Sequence, residues 1–243
     1  MGFRTVELGL CAALALVYPP HVGAEEVARV LGVAIDSSEL PAEGGEAALG
    51  RLYDLVWNAV ARHYIEQNGL NATQEEIAEV RDYEREFDRR DRAQRTRKLA
   101  ELDGRLANPD LPAAERASIE AFRATLARLA QGDDEGDREP APDPEGRAAR
   151  RAQWVEMWNM NRALYEQYGG VVALTRFGPF PHGARAALLE DYERRGLLHF
   201  FDRDLRKRLF ASLLADPPVT LDPGQVDFTP YWKRPIPPSY FPD

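Results

Sequence analysis

The chain has 243 residues, which is enough for one large domain or two small ones with a hydrophobic core. Hydrophobic residues make up 44% of it and charged residues 29%, a composition typical of a globular protein. The net charge of -9 disfavours nucleic acid as a partner, and a single cysteine, Cys11, excludes a disulfide within the chain.

Residues 1–24 have the three-part layout of a secretory signal. Arg4 precedes the apolar run LGLCAALALVY, and small residues close the segment at Val22 and Ala24. The apolar run is too short to span a bilayer comfortably. We therefore predict a signal peptide cleaved after Ala24, a periplasmic protein, and no membrane span in the mature chain. An uncleaved N-terminal anchor is the alternative, because Glu7 weakens the basic start.

The first mature segments predict a short β-rich run followed by a buried helix. The run VARVLGVAI is interrupted by Gly32 and followed by turn residues. From residue 46 to residue 67 the apolar residues recur with helical spacing and form a wide face that includes Trp57 and Tyr64. Gly69 ends this helix, since glycine readily adopts the left-handed conformation of a helix C-cap.

His63 lies in this helix, and two interpretations of it are possible. It could be a catalytic base, or it could be a polar residue beside the apolar face of a structural helix. A catalytic His needs a nucleophile within reach, and the chain after residue 24 has neither a cysteine nor a G-x-S-x-G motif. The histidines after residue 24 also lack zinc-ligand spacing. We therefore predict no catalytic residue, no metal site and no cofactor.

A second helix begins at Thr73, where TQEE has the form of a capping box. It continues into a charged arm, and after a break at ANPDLP another amphipathic helix ends near residue 131. Residues 25–131 therefore form a helical N-terminal part. Residues 132–146 are acidic and rich in Pro and Gly, and they predict a linker.

Residues 147–216 predict a helical C-terminal part, and residues 217–243 a tail rich in proline and aromatic residues. The first helix of this part carries Trp154, Met157 and Trp158, mostly on one face. Such a face either packs into a core or lines a soft groove that accepts many apolar sequences.

The N-terminal sequence resembles the chaperone module of SurA-type periplasmic proteins. Gly32, Ile35 and Leu40 match the opening strand of that family, although Leu31 stands where Asn is usual. The segment Gly69-Leu70 and the helix start TQEEI match the next part of the pattern. The resemblance implies a mainly α, multi-helix domain with one or two short β-strands. It also implies that a later helix, at Gln153–Tyr168, returns to complete the core.

Relatives in that family commonly carry parvulin isomerase domains, and this sequence shows no counterpart. We therefore expect a chaperone-like protein that binds unfolded or extended envelope polypeptides in an apolar groove without catalysis. Two alternatives stay open: an envelope assembly subunit that binds one partner, for example through the tail, and a peptidyl-prolyl isomerase whose site is not recognised. The candidate client-binding residues are Trp57, Tyr64, Trp154, Met157 and Trp158.

Overall fold

A computed structural model describes residues 25–138, 144–175, 178–217 and 219–241. The predicted signal peptide lies outside the described residues, as does the middle of the predicted linker, residues 139–143. Helices dominate the described chain, which confirms the mainly α class. The helices are α1 (Gly45–Gln67), α2 (Gln74–Leu106), α3 (Ala113–Arg138), α4 (Pro144–Tyr168), α5 (Ala184–Arg194) and α6 (Arg203–Leu213).

Short strands are more numerous in the described chain than the one or two expected. The strands are β1 (Glu26–Val30), β2 (Val33–Asp36), β3 (Val172–Thr175), β4 (Gly178–Pro181), β5 (Leu198–Phe200) and β6 (Thr220–Leu221). They form two three-stranded antiparallel sheets with the orders β2-β1-β5 and β4-β3-β6. Short 3-10 turns occur beside them and along the tail.

Part of the linker predicted at 132–146 is helical. Helix α3 continues to Arg138 and helix α4 begins at Pro144. The physical reason is the position of the prolines. Residues 132–138 contain none, so each can donate a helical hydrogen bond, and proline is well tolerated in the first turn of a helix.

The predicted β-rich run is a hairpin. Strands β1 and β2 pair through Val30 and Val33, and Leu31-Gly32 form the two-residue loop between them. Both loop residues have positive φ, 52° at Leu31 and 84° at Gly32, as a type I′ turn requires. Asn and Gly are the residues that favour this turn, so the Leu at position 31 is conformationally strained there.

Helix α1 lies at the centre of the larger hydrophobic core, which we call the main core. Its apolar face is buried along the whole helix, and strand β5 brings a C-terminal segment against β1. Met160 and Leu164 of α4 are also buried there, so the helix at Gln153–Tyr168 does return to the N-terminal core. Other buried members are Leu52, Val56, Val60, Leu188, Leu189, Tyr192, Leu198 and Leu209.

The start of α2 has the predicted capping box. The Glu76 backbone amide donates to Thr73 Oγ1 at 3.2 Å, and the Thr73 amide donates to Glu76 Oε2 at 2.9 Å. Further along, α2 and α3 form a charged helical hairpin, which buries Leu102 and Ile119. Ion pairs along α2, such as Arg89 with Glu86, support the helix in the arm where few apolar side chains are available.

Candidate functional site

Helices α2 and α4 pack side by side and build a surface of aromatic rings. Val80 of α2 and Val155 of α4 are fully buried in a second, smaller core, and Arg151 Nε lies 2.6 Å from Glu84 Oε2. We call the rings of these two helices the aromatic surface. Its members are Tyr83, Phe87, Trp154, Trp158 and Tyr165.

The chain's own tail covers the aromatic surface. Trp158 makes edge contacts with Tyr231, at 5.8 Å between ring centroids, and with Trp232, at 5.4 Å. Trp158 Nε1 also donates a hydrogen bond of 2.8 Å to the Phe228 carbonyl oxygen. Trp158 and Trp232 are each only 6% exposed, so each of the two segments buries the other's indole.

Further ring contacts extend this interface along both helices. The distance between ring centroids is 5.1 Å for Tyr83 and Tyr231 and 5.0 Å for Phe87 and Phe241. It is 5.2 Å for Tyr165 and Phe228. Lys233 Nζ lies 3.2 Å from Glu79 Oε2 and adds an ion pair at the edge. Edge and tilted ring contacts of this kind add about 0.5–1.5 kcal/mol each to the burial of apolar area.

Burial governs the ionisation of the tail tyrosine. It raises the pKa of Tyr231 to about 12, the carboxylate of Glu84 adds to the rise, and a hydrogen bond with Trp154 opposes it. The Tyr231 phenol therefore stays protonated at neutral pH, in keeping with its position among rings.

The described part of the tail is extended, and strand β6 is where it pairs with a sheet. Strand β6 pairs with β3 through Leu221 opposite Val172 and Thr220 opposite Ala173. Beyond it, the chain is held by its own short turns and by Arg234, whose Nη2 donates to the Thr229 carbonyl oxygen at 2.7 Å. Contacts with α2 and α4 are thus made mainly by side chains.

The first residue of strand β4, Gly178, lies against the Trp158 indole. Gly178 has φ +101°, and a Cβ placed on it would lie 2.8 Å from Trp158 Cη2 and 2.8 Å from Cζ3. No side chain fits at that distance, so the indole packs directly on the glycine backbone. Trp158 is thereby in contact with β4 as well as with the tail.

The five sequence-predicted residues do not form one groove. Trp154 and Trp158 belong to the aromatic surface, and Met157 is half-buried on the same helix. Trp57 stacks on Tyr53 at 5.9 Å, and Tyr64 donates a hydrogen bond to Gln167 Oε1 at 2.7 Å. Both Trp57 and Tyr64 lie in the main core, where they are 8% and 5% exposed.

The residues that cover the aromatic surface were not predicted from the sequence. They are Phe228, Tyr231 and Trp232, and they come from the tail, which the sequence predicts as a segment separate from both helical parts. The alternation of aromatic residues and prolines after residue 226 was the available signal, because an extended chain presents its rings at regular intervals.

His63 lies at a polar cavity of about 210 Å³ between α1, α4 and α5. Its Nδ1 is 2.7 Å from the Tyr192 hydroxyl oxygen, and the two rings meet edge to face. Burial raises the pKa of Tyr192, and burial with the nearby Asp191 carboxylate raises that of Tyr168 to about 12. These phenols are hydrogen-bonding groups rather than activated bases, which favours the structural interpretation of His63.

No family model, curated protein or solved structure matches the chain. None of the helices in the described ranges is long and apolar enough to cross a membrane. Within the same residues, no group of three or more His, Cys, Asp or Glu side chains is placed to hold a metal ion.

Proposed function

We propose that the protein is an exported, chaperone-like protein that binds extended or unfolded envelope polypeptides on the aromatic surface of α2 and α4. The observation that carries this proposal is the tail itself. An extended segment rich in proline and aromatic residues lies on that surface, with Trp232 buried against Trp158. The tail then acts as an internal competitor that clients displace.

The contacts of the tail are of kinds that many extended polypeptides can make. Rings meet rings at Tyr231 and Trp232, a backbone carbonyl accepts from Trp158 Nε1, and a two-residue strand pairs with β3. Strand addition and aromatic packing are recurring modes of peptide recognition. Half-buried Met157 on α4 adds a flexible apolar side chain, of a kind that suits a range of partners.

A competitor within the same chain makes the binding reversible. The tail is tethered, so its effective concentration at the aromatic surface is high, of the order of millimolar for short flexible links. A client must therefore present more aromatic contacts, or a longer extended segment, to replace it. This competition also protects the aromatic rings from solvent when no client is present.

Two features of the sequence support the same proposal. The layout of residues 1–24 is that of a secretory signal, and the order of strand, buried helix and capped helix matches that family's N-terminal part. The net charge of -9 keeps a protein that exposes aromatic rings during client exchange soluble.

The test is a light-scattering assay of aggregation of an unfolded outer-membrane protein, with the chain starting at Glu25. We expect suppression at equimolar ratio, and stronger suppression by Trp232→Ala, which loosens the tail. Phe201→Ala is the matched control, since Phe201 is half-exposed directly after strand β5 and its ring contacts His199. Failure of the wild type and of Trp232→Ala to slow aggregation, with both folded by circular dichroism, would refute client binding.

A further inference from the structure

A separate cavity of about 260 Å³ lies between α1, β4, α5 and α6. Most of its wall is apolar, and the polar groups at it are few. Glu46 and Ser212 are exposed, whereas Arg185, in the first turn of α5, is half-buried. The apolar lining consists of Leu49, Tyr53, Phe180, Leu209 and Leu213.

Arg185 is held in this cavity by aromatic side chains. Its guanidinium carbon lies 4.4 Å from the ring centroid of Trp57 and 4.4 Å from that of Phe180. Nη1 donates a hydrogen bond of 2.6 Å to the Tyr53 hydroxyl oxygen. Burial raises the pKa of Tyr53 and the Arg185 charge opposes that rise, so Tyr53 meets the cation as a neutral phenol.

Among the described residues, no carboxylate neutralises the charge of Arg185. Its Nε is buried without a hydrogen-bond partner among the described residues. Glu46 also lines the cavity, yet no carboxylate in the described part of the chain forms an ion pair with Arg185. A partly desolvated guanidinium without a carboxylate partner attracts an anion strongly, because solvent no longer screens its charge fully.

We propose that this cavity binds an apolar molecule that ends in a single carboxylate, such as the C-terminal residue of a polypeptide or a free carboxylic acid. Arg185 binds the carboxylate through the charge of its guanidinium and through charge-assisted hydrogen bonds. Leu49, Leu209 and Leu213 surround the apolar part. The volume lies just below the range of about 300–1,000 Å³ for drug-sized ligands, so it suits one residue or a small acid.

Glu46 gives the cavity a second element of specificity. Its carboxylate disfavours another negative charge on the ligand, so one carboxylate is accepted and two are not. The cavity is distinct from the aromatic surface, because none of its lining residues belongs to α2, to α4 or to the tail. Ligand binding in this cavity can therefore be tested separately from client binding on the aromatic surface.

The test is isothermal titration calorimetry of the full chain with N-acetyl-phenylalanine and with its neutral amide. We expect the acid to bind at least tenfold more tightly than the amide, because charge-assisted hydrogen bonds are lost with the charge. Arg185→Met should abolish that preference. Arg208→Met is the control. Arg208 Nη2 donates a hydrogen bond to the Gly45 carbonyl oxygen at an exposed position, and this variant should bind the acid as the wild type does.

A second variant keeps the test decisive if Arg185→Met fails to fold. Glu46 is exposed, and Glu46→Gln should bind the acid several-fold more tightly while leaving the amide unchanged. Equal binding of acid and amide by the wild type, or binding of neither, overturns the proposal. A tetrapeptide Ala-Ala-Ala-Phe that binds at least as well as the acetylated acid assigns the site to chain termini, and binding of the acid alone assigns it to small acids.

Discussion

The main core and the tail-covered aromatic surface are held together in different ways. The main core is built mainly from aliphatic side chains on helices and strands, with Leu52, Val56 and Leu164 fully buried. The aromatic surface is closed by an extended segment whose contacts are mostly ring to ring. Regular elements lose their packing together, whereas a segment held by side chains can detach locally. The tail is therefore the part of the described chain best suited to exchange with a ligand.

The sharpest way to break this comparison is a pair of large-to-small substitutions. Leu164→Ala in the main core should lower the free energy of unfolding by about 2–5 kcal/mol. Trp232→Ala removes a larger side chain but should lower it less, because the tail can leave while the main core stays folded. Thermal unfolding followed by circular dichroism and by tryptophan fluorescence checks both values. Equal losses with one coincident transition would show that the tail belongs to the same cooperative unit.

Gly178→Ala tests the contact between β4 and Trp158. The new Cβ would lie 2.8 Å from the indole, at a φ of +101° that alanine rarely adopts, so about 1–3 kcal/mol of strain is expected. Tryptophan fluorescence should shift towards that of an exposed indole. Gly224→Ala in the tail is the control, since a Cβ there meets no atom within 4 Å. An unchanged spectrum for Gly178→Ala would mean that Trp158 is not fixed by β4.

Alkaline pH should weaken the contact between the tail and the aromatic surface. Burial raises the pKa of Tyr231 from 10.0 to about 12, so the folded state holds the phenolic proton more tightly than the unfolded state does. This contribution to stability is fully present below pH 10.0 and is lost as pH rises through about 12. Proteolysis of the tail measured against pH should show the change.

Two variants assign the alkaline transition to its region. Tyr231→Phe should remove the pH dependence of tail release, whereas Tyr168→Phe should leave it in place. Tyr168 is the matched control because its pKa is also raised to about 12, at the polar cavity near His63. Release that follows Tyr168 instead would place the alkaline weakness in the main domain.

Leu31→Asn should stabilise the hairpin that packs on the main core. Asn tolerates the φ of 52° in the hairpin turn, so relief of strain should raise the free energy of unfolding by about 0.5–1 kcal/mol. Part of the gain is offset because Leu31 packs against the main core. Leu31→Ala, which loses the packing and keeps the strain, should destabilise. Chemical denaturation compares the two, and a less stable Asn variant would show that packing outweighs the strain.

The smallest expected effect is at the Lys233–Glu79 ion pair. Both side chains are substantially exposed, so Lys233→Met should weaken tail docking by about 0.2–1 kcal/mol at low salt and by less at high salt. Arg29→Met removes a similar pair with Glu26 in the main sheet and should not affect the tail. Protease sensitivity of the tail at two salt concentrations provides the measurement. A loss that high salt does not reduce would indicate that the aliphatic stem of Lys233, rather than its charge, holds the tail.

Local signals in the sequence predicted much of the fold. Helical spacing of apolar residues placed α1, Gly69 has the left-handed conformation expected after it, and Thr73 caps α2 as predicted. Each of these features depends on residues a few positions apart, whose backbone and side chains interact within one turn of chain. The composition of residues 132–146 predicted a linker, whereas residues 132–138, which contain no proline, continue helix α3.

The candidate site depended on contacts that no local pattern specifies. The tryptophans of α4 were recognised from their spacing, but whether they face a core, a groove or another segment is decided by residues about seventy positions away, as in the Trp158–Phe228 hydrogen bond. The same holds for Arg185, which meets Trp57 and Phe180 from separate elements. The sequence by itself determined the helices, their caps and the aromatic character of α4 and the tail. The tertiary structure decided which rings meet and which guanidinium has no carboxylate partner among the described residues, because burial and ion pairing depend on distances in space between residues far apart in the chain.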